Sequence, residues 1–108
     1  MENKHCIVLI TTPDMETAQK IGDHLVEEKL AACANILGNI RSIFTWQNEV
    51  NDENEVLMIV KTRTDIFNER FVPAVVDLHP YDVPEIIALP ISMGNKPYLD
   101  WIDEVTDG

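Results

Sequence analysis

The chain is short of positive charge. Eight Lys and Arg stand against nineteen Asp and Glu, for a net charge of -11. Nucleic acids and anionic membranes both need a basic face, so neither is expected as a partner. Cysteine is scarce too: Cys6 and Cys33 lie far apart, with no CxxC spacing. That excludes a disulfide framework and the common zinc modules, and both thiols are expected to be reduced and to pack as small apolar residues. No apolar run approaches the length of a membrane span. Met1-Glu2-Asn3-Lys4 lacks the charged-then-apolar pattern of a signal peptide, so a cytoplasmic protein is expected. GxSxG elbows, phosphate-binding glycine loops, HExxH pairs and EF-hand spacings are all missing, and with them any sign of enzyme chemistry. Linkers, repeats and low-complexity tracts are absent as well.

What is present is a folding chain. Over 108 residues, 45% are hydrophobic. This suits one domain over residues 1–108 with a core of its own. Cys6 to Thr12 is an unbroken apolar and β-branched run, which predicts a buried strand ended by Pro13 and Asp14. Thr12 or Asp14 can cap a helix over Met15–Leu30, with Ala18, Ile21, Leu25 and Val26 on its apolar stripe. Ala31–Trp46 predicts a long strand bent or bulged at Gly38. Gln47–Asn54 predicts a polar turn and Glu55–Thr62 another buried strand, giving a long hairpin. A second helix starts at Thr64 or Asp65 and carries Phe67, Phe71, Val75 and Leu78 on one stripe, with Pro73 inside it. Ile86–Ile91 predicts a fourth strand, and Asn95–Val105 a closing helix with Tyr98, Leu99, Trp101, Ile102 and Val105 on its apolar side.

The order strand, helix, strand, strand, helix, strand, helix is the split-βαβ, ferredoxin-like α+β layout with a tail. Two helices then cover one face of a four-stranded antiparallel sheet. The first and third strands, however, are apolar at nearly every position, so the other face is apolar as well. Soluble monomers avoid large exposed apolar patches, and the open face is therefore expected to pack against other copies.

The residues Ala31-Ala32-Cys33-Ala34-Asn35, Trp46-Gln47-Asn48-Glu49-Val50, Glu55 to Thr62, His79-Pro80-Tyr81-Asp82-Val83-Pro84-Glu85-Ile86 and Tyr98-Leu99-Asp100-Trp101 occur in that order. Together they resemble the CutA family of divalent-cation tolerance proteins, over about Cys6 to Val105. The resemblance implies a homotrimer of ferredoxin-like chains, similar in plan to PII-type signalling proteins, and a role linked to copper and other divalent ions. Two departures stand out. Where some family members carry the cysteine and second histidine credited with copper binding, this chain has Ile10 and Leu78, which leaves His79. The helix before His79 also runs one residue longer than usual near Pro73, so a bulge or kink is expected there.

The run from His79 to Ile86 gathers an imidazole, a phenol and two carboxylates between prolines, in a segment that cannot be helical. His79 is the candidate metal ligand, through a neutral ring nitrogen, with other donors coming from another subunit or solvent. The competing role is a local hydrogen bond that holds the turn. Trp46, Lys61, His79, Tyr81 and Glu85 are expected to approach one another across the sheet or between subunits and to line one cleft suited to a small anionic or amphoteric ligand. The alternative is a Lys61–Glu85 pair that fixes register, with Trp46 as packing. Two functions are thus expected. One is a trimer binding copper or a similar divalent ion. The other is a PII-like sensor or interaction module, with a small ligand between subunits and an unknown protein partner. The acidic tail residues Asp100, Asp103, Glu104 and Asp107 read as a solvated helix face.

Overall fold

The structure is a computed structural model and describes residues 3–107. Four strands, β1 (His5–Thr12), β2 (Cys33–Trp46), β3 (Glu49–Arg63) and β4 (Ile86–Pro90), form one sheet in the order β2-β3-β1-β4 with antiparallel pairing. Helices α1 (Met15–Glu27) and α2 (Val72–Leu78) close the two βαβ halves, and α3 (Lys96–Val105) follows β4. This is the expected ferredoxin-like fold. None of these helices is long and apolar enough to cross a membrane.

Side chains alternate along β1. Cys6, Val8 and Ile10 are buried against the helices, beside Met58 and Val60 of β3. The helices contribute Ala18, Ile21 and Leu25 from α1, and Phe71 and Val75 from the second helical segment. Val26, expected on that stripe, is exposed. Asp14 caps α1 by accepting from the Thr17 N–H at 2.8 Å, while the Thr12 hydroxyl donates to the Asp14 carbonyl and caps nothing.

The opposite face carries Ile7, Leu9, Leu37, Leu57, Ile59, Ile87 and Leu89 in cross-strand rows. Ile87 is 51% and Leu89 46% exposed. Of the helices, α3 lies against this side at one end: Asp103 bonds His5 Nε2 at 2.9 Å and lies 4.0 Å from Arg63, its cross-strand neighbour.

Three elements differ from expectation. The hairpin turn is only Gln47 and Asn48, both at positive φ (52° and 66°), so β3 begins at Glu49 and the polar stretch Glu49–Asn54 is strand. A two-residue turn with both φ positive matches the twist of the strands it joins. The bulge falls between Leu37 and Ile40 as expected, but the left-handed residue is Asn39 (φ 62°), not Gly38. The second helix is not one kinked α-helix. A 3-10 turn (Thr64–Ile66) leads to a π turn (Phe67–Phe71), where the Val72 N–H reaches the Phe67 carbonyl; α2 begins only then. A π turn absorbs one extra residue, and it leaves Pro73 in the first turn of α2, where no N–H is needed.

Candidate functional site

The site is built where the hairpin leaves the sheet. From Ile40↔Glu55 to Trp46↔Glu49, β2 and β3 pair only with each other, while β1 pairs with β3 from Val56 onward. The bulge at Gly38 and Asn39 reverses the alternation of β2. Ser42, Phe44 and Trp46 therefore fall on the same side as Glu53 and Glu55, which is the side of the uncovered sheet face. The turn after α2 folds over to meet them.

That turn is tied down by its histidine. His79 follows α2 as its C-cap and is 7% exposed. Nε2 lies 2.8 Å from the Thr11 carbonyl, and Nδ1 lies 3.2 Å from the Tyr81 backbone N–H. A carbonyl only accepts and an N–H only donates, so the ring donates from Nε2 and accepts at Nδ1. The Tyr81 ring packs 4.7 Å from the imidazole, and its hydroxyl donates to Glu55 Oε2 at 2.8 Å. A single relay thus links Thr11, His79, Tyr81 and Glu55, joining β1, the turn and β3.

Beside the relay opens a cleft of about 600 Å³. Phe44, Trp46, Ile43 and Val83 give it apolar walls, and Glu53, Glu55, Asp82 and Glu85 give it carboxylates. Glu55 is itself 7% exposed. Crowding of negative charge shows in the neighbours. Burial, reinforced by the Glu55 charge, raises the Glu85 carboxyl above its ordinary range. The Tyr81 hydroxyl is pushed up by burial first, then by its bond to Glu55 and by the charges of Glu55, Glu53 and Asp14.

Of the five residues expected in one cleft, Trp46, Tyr81 and Glu85 line it. Lys61 does not. It pairs with Cys33 and Ile7 toward the far end of the sheet and donates to the Asn35 side chain. Six residues separate it from Glu55, about 20 Å along a strand. A Lys61–Glu85 pair does not form within the chain, and the lining that one chain supplies carries four carboxylates and no basic residue among the described residues. His79 lies behind the cleft with both ring nitrogens already bonded inside the chain. Glu53 was missed because the polar stretch before Glu55 read as turn, and with it the extension of the hairpin that brings Phe44 and Glu55 to one side. The alternation of Glu53 and Glu55 with Asn54 was the available signal.

A divalent-ion site within one chain fits poorly. Among the described residues, no group of three or more His, Cys, Asp or Glu is placed to hold a metal ion. Cys6 is buried, and burial pushes its thiol up to about 11. Cys33 is half-buried, and its thiol faces the Asn35 carboxamide at 3.7 Å. Ile10 is fully buried in the core.

The sequence profile described as "CutA1 divalent ion tolerance protein" matches residues 6–105. The chain is 52% identical to the divalent-cation tolerance protein CutA of Thermus thermophilus over 100 residues, covering 93% of this chain and 96% of that one. It is 41% identical to human Protein CutA over 102 residues, covering 91% of this chain but 54% of the human protein, so it spans about half the human length. The solved Thermus structure superposes with a TM-score of 0.92 at 50% identity, covering 95% of this chain and 99% of that one. The CutA1 structure from Shewanella sp. SIB1 gives 0.94 at 37% identity over 100% of both chains. The profile covers nearly the whole chain and describes divalent-ion tolerance rather than an enzyme activity, so the chain belongs to the CutA1 family of divalent ion tolerance proteins.

Proposed function

We propose that this chain contributes to divalent-cation tolerance as a cytoplasmic homotrimer, and that copper or a similar divalent ion is held where copies meet rather than inside one chain. The observation that carries this is the uncovered sheet face, with Leu37, Ile87 and Leu89 each about half exposed. Soluble monomers rarely leave such a face in water. The charge of -11 favours cation association in general. His79, the ligand expected from sequence, enters this proposal as the residue that holds the turn, since a metal would have to displace Thr11 or Tyr81 from its ring. The free thiols Cys6 and Cys33 sit on opposite faces of the sheet and suit a reducing compartment.

The test is light scattering joined to calorimetric titration with copper, on the wild type and His79→Ala. The expected mass is three times the 12.3 kDa chain. The expected copper affinity is the same for both proteins. A monomer at micromolar concentration removes the assembly. Copper binding lost only in His79→Ala restores the histidine as ligand.

A second reading is favoured by the cleft itself, which has the size of a small-molecule site. On that reading the protein senses a small ligand and reports it to a partner protein.

A further inference from the structure

The outer part of the hairpin is an arm without a sheet. From Ile40↔Glu55 to Trp46↔Glu49 its two strands pair only with each other. The molecule is drawn out to 44 Å, against widths of 27 and 24 Å. The arm is nonetheless apolar toward its tip, where Trp46 is 51% and Val50 76% exposed and Ile43 and Phe44 are open as well. A two-stranded ribbon is marginal in water by itself and needs a further surface to pack on. On the side that carries Phe44 and Trp46 the arm also presents Glu53, exposed and in no ion pair among the described residues.

The complementary feature lies at the other end of the uncovered face. Lys61 is half-buried in a cross-strand row with Cys33 and Ile7, which in turn faces Leu89. Its ammonium donates to the neutral Asn35 carboxamide and meets no carboxylate among the described residues. Arg41, Arg63, Arg70 and Lys96 each have an acidic partner. In a chain with nineteen acids for eight bases, a half-buried lysine on an apolar face without an acid stands out. Partial burial of an ammonium costs free energy unless an opposite charge offsets it.

These two features cannot meet within one chain. Glu53 and Lys61 stand eight residues apart on β3, about 27 Å along a strand. Two different patches that complement each other only across chains make a head-to-tail contact, and a head-to-tail contact closes as a ring.

We propose that the arm of each copy lies on the Lys61 end of the next copy's open face, with Phe44 and Trp46 against the partner's Ile7 and Leu89, and with Glu53 beside the partner's Lys61. The inference rests on the assembly proposed above and gives that assembly its direction. A ring of three leaves no arm unsupported and no Lys61 without an acid. The cleft beside the arm is then walled partly by the partner, so a single chain holds only part of it.

The experiment refolds ordinary protein together with protein labelled with a heavy nitrogen isotope, then treats the mixture with a carbodiimide, which joins an amine to a carboxylate in direct contact. Mass spectrometry is expected to find Lys61 joined to Glu53, with one half of the cross-linked peptide labelled and the other not. By light scattering over a dilution series, Lys61→Met should raise the concentration for half-assembly at least about tenfold. Lys61→Glu should raise it further, and adding Glu53→Lys to that variant should bring it back to within about threefold of wild type. Lys29→Met, on the exposed turn after α1, should change nothing. Circular dichroism checks that each variant is folded, and Lys61→Met, which keeps the apolar stem, carries the test should a charge reversal unfold the chain. Mixing Lys61→Glu copies with Glu53→Lys copies separates a ring from a two-fold pair. Alternation cannot close around three chains, so no trimer should return, whereas a stable pair of the two variants would overturn the ring. A wild-type protein that is a single chain at micromolar concentration overturns this inference together with the assembly. A trimer in which Lys61 joins a different acid, or in which Lys61→Met assembles like wild type, overturns this seating alone and leaves the assembly standing.

Discussion

The two faces of this sheet are built from the same strands and end differently. On β1, Cys6, Val8 and Ile10 are sealed under α1 and the second helical segment, while Ile7 and Leu9, interleaved with them, look out between the half-buried Ile59 and the exposed Ile87 and Leu89. The first face is finished by its own chain. The second is as apolar in composition but has α3 across only one end. The same contrast recurs within the turn after α2. His79 is closed off by two backbone bonds, while Glu85, six residues on, lines an open cleft. The completed regions hold the fold. The unfinished ones are where an outside partner can change the protein's energy.

If the covered face carries the fold, truncation there should do the most damage. Phe71 is fully buried and stacks on Phe67 at 5.7 Å between centroids. Phe71→Ala is expected to lose about 3–5 kcal/mol of unfolding free energy in denaturant titration. A loss below ~1 kcal/mol would mean that this core is not the main source of stability.

The closed half of the turn should rank next. His79→Ala leaves the Thr11 carbonyl without its donor and the Tyr81 N–H without its acceptor, both in a largely buried setting. An unmet buried polar group costs about 1–3 kcal/mol, so a loss of that order is expected by denaturant titration. Amide exchange at Tyr81 should also quicken. An unchanged stability would return His79 to the role of a spare side chain waiting for a ligand.

The uncovered face should respond in assembly and hardly at all in folding. Ile87→Lys places a charge on a half-exposed position of the edge strand β4. The isolated chain is expected to change by under about 0.5 kcal/mol, while the mass by light scattering falls to that of one chain. The two cysteines report the same contrast chemically. Cys6 on the covered face should resist alkylation until the chain unfolds, whereas Cys33 on the other face should react once the copies separate. Alkylation of Cys6 in the folded protein would contradict its burial.

Much of this was legible in the sequence because hydrophobic period reports one-sided burial. The four strands, the helix order and the too-apolar second face all followed from it. What was not legible has physical causes. Glu49–Asn54 is strand without apolar alternation, because it pairs only with β2 and projects beyond the rest of the sheet, so neither of its sides needs to be apolar. The π turn is set by one surplus residue ahead of Pro73, which period alone locates only roughly. Tyr81, Glu85 and Trp46 line one cleft, since the proline-rich turn leads directly into β4. The environment of His79 was invisible, because its main partner is the carbonyl of Thr11, 68 residues earlier, and any residue type could supply that carbonyl. Within one chain Lys61 lies at the other end of β3 from this cleft, and a strand's two ends look alike until its partners are known.

The smallest effect tests the open half of the turn through its charge. Burial, and then the neighbouring Glu55, hold the Glu85 carboxyl above its ordinary range in the folded chain. The folded state therefore keeps a proton that the unfolded chain has already released. The stability tied to this proton is fully present below the unfolded value, near pH 4, and is lost as pH rises through the higher folded value. Asp14 runs the other way. The Thr17 N–H bonded to it holds its carboxyl low, so its contribution is present at higher pH and is lost as pH falls. Glu85→Gln removes the first dependence and leaves the second. Across the weakly acid range its stability should decline less with rising pH than that of the wild type, and at neutral pH it should match or slightly exceed it. The gain is expected to stay under about 0.5 kcal/mol, since much of the side chain remains in water and is screened. Thermal midpoints of both proteins at closely spaced pH values make the measurement. Parallel curves would mean that Glu85 does not feel Glu55, and the cleft would then lack the crowded charge that distinguishes it from the completed side of the turn.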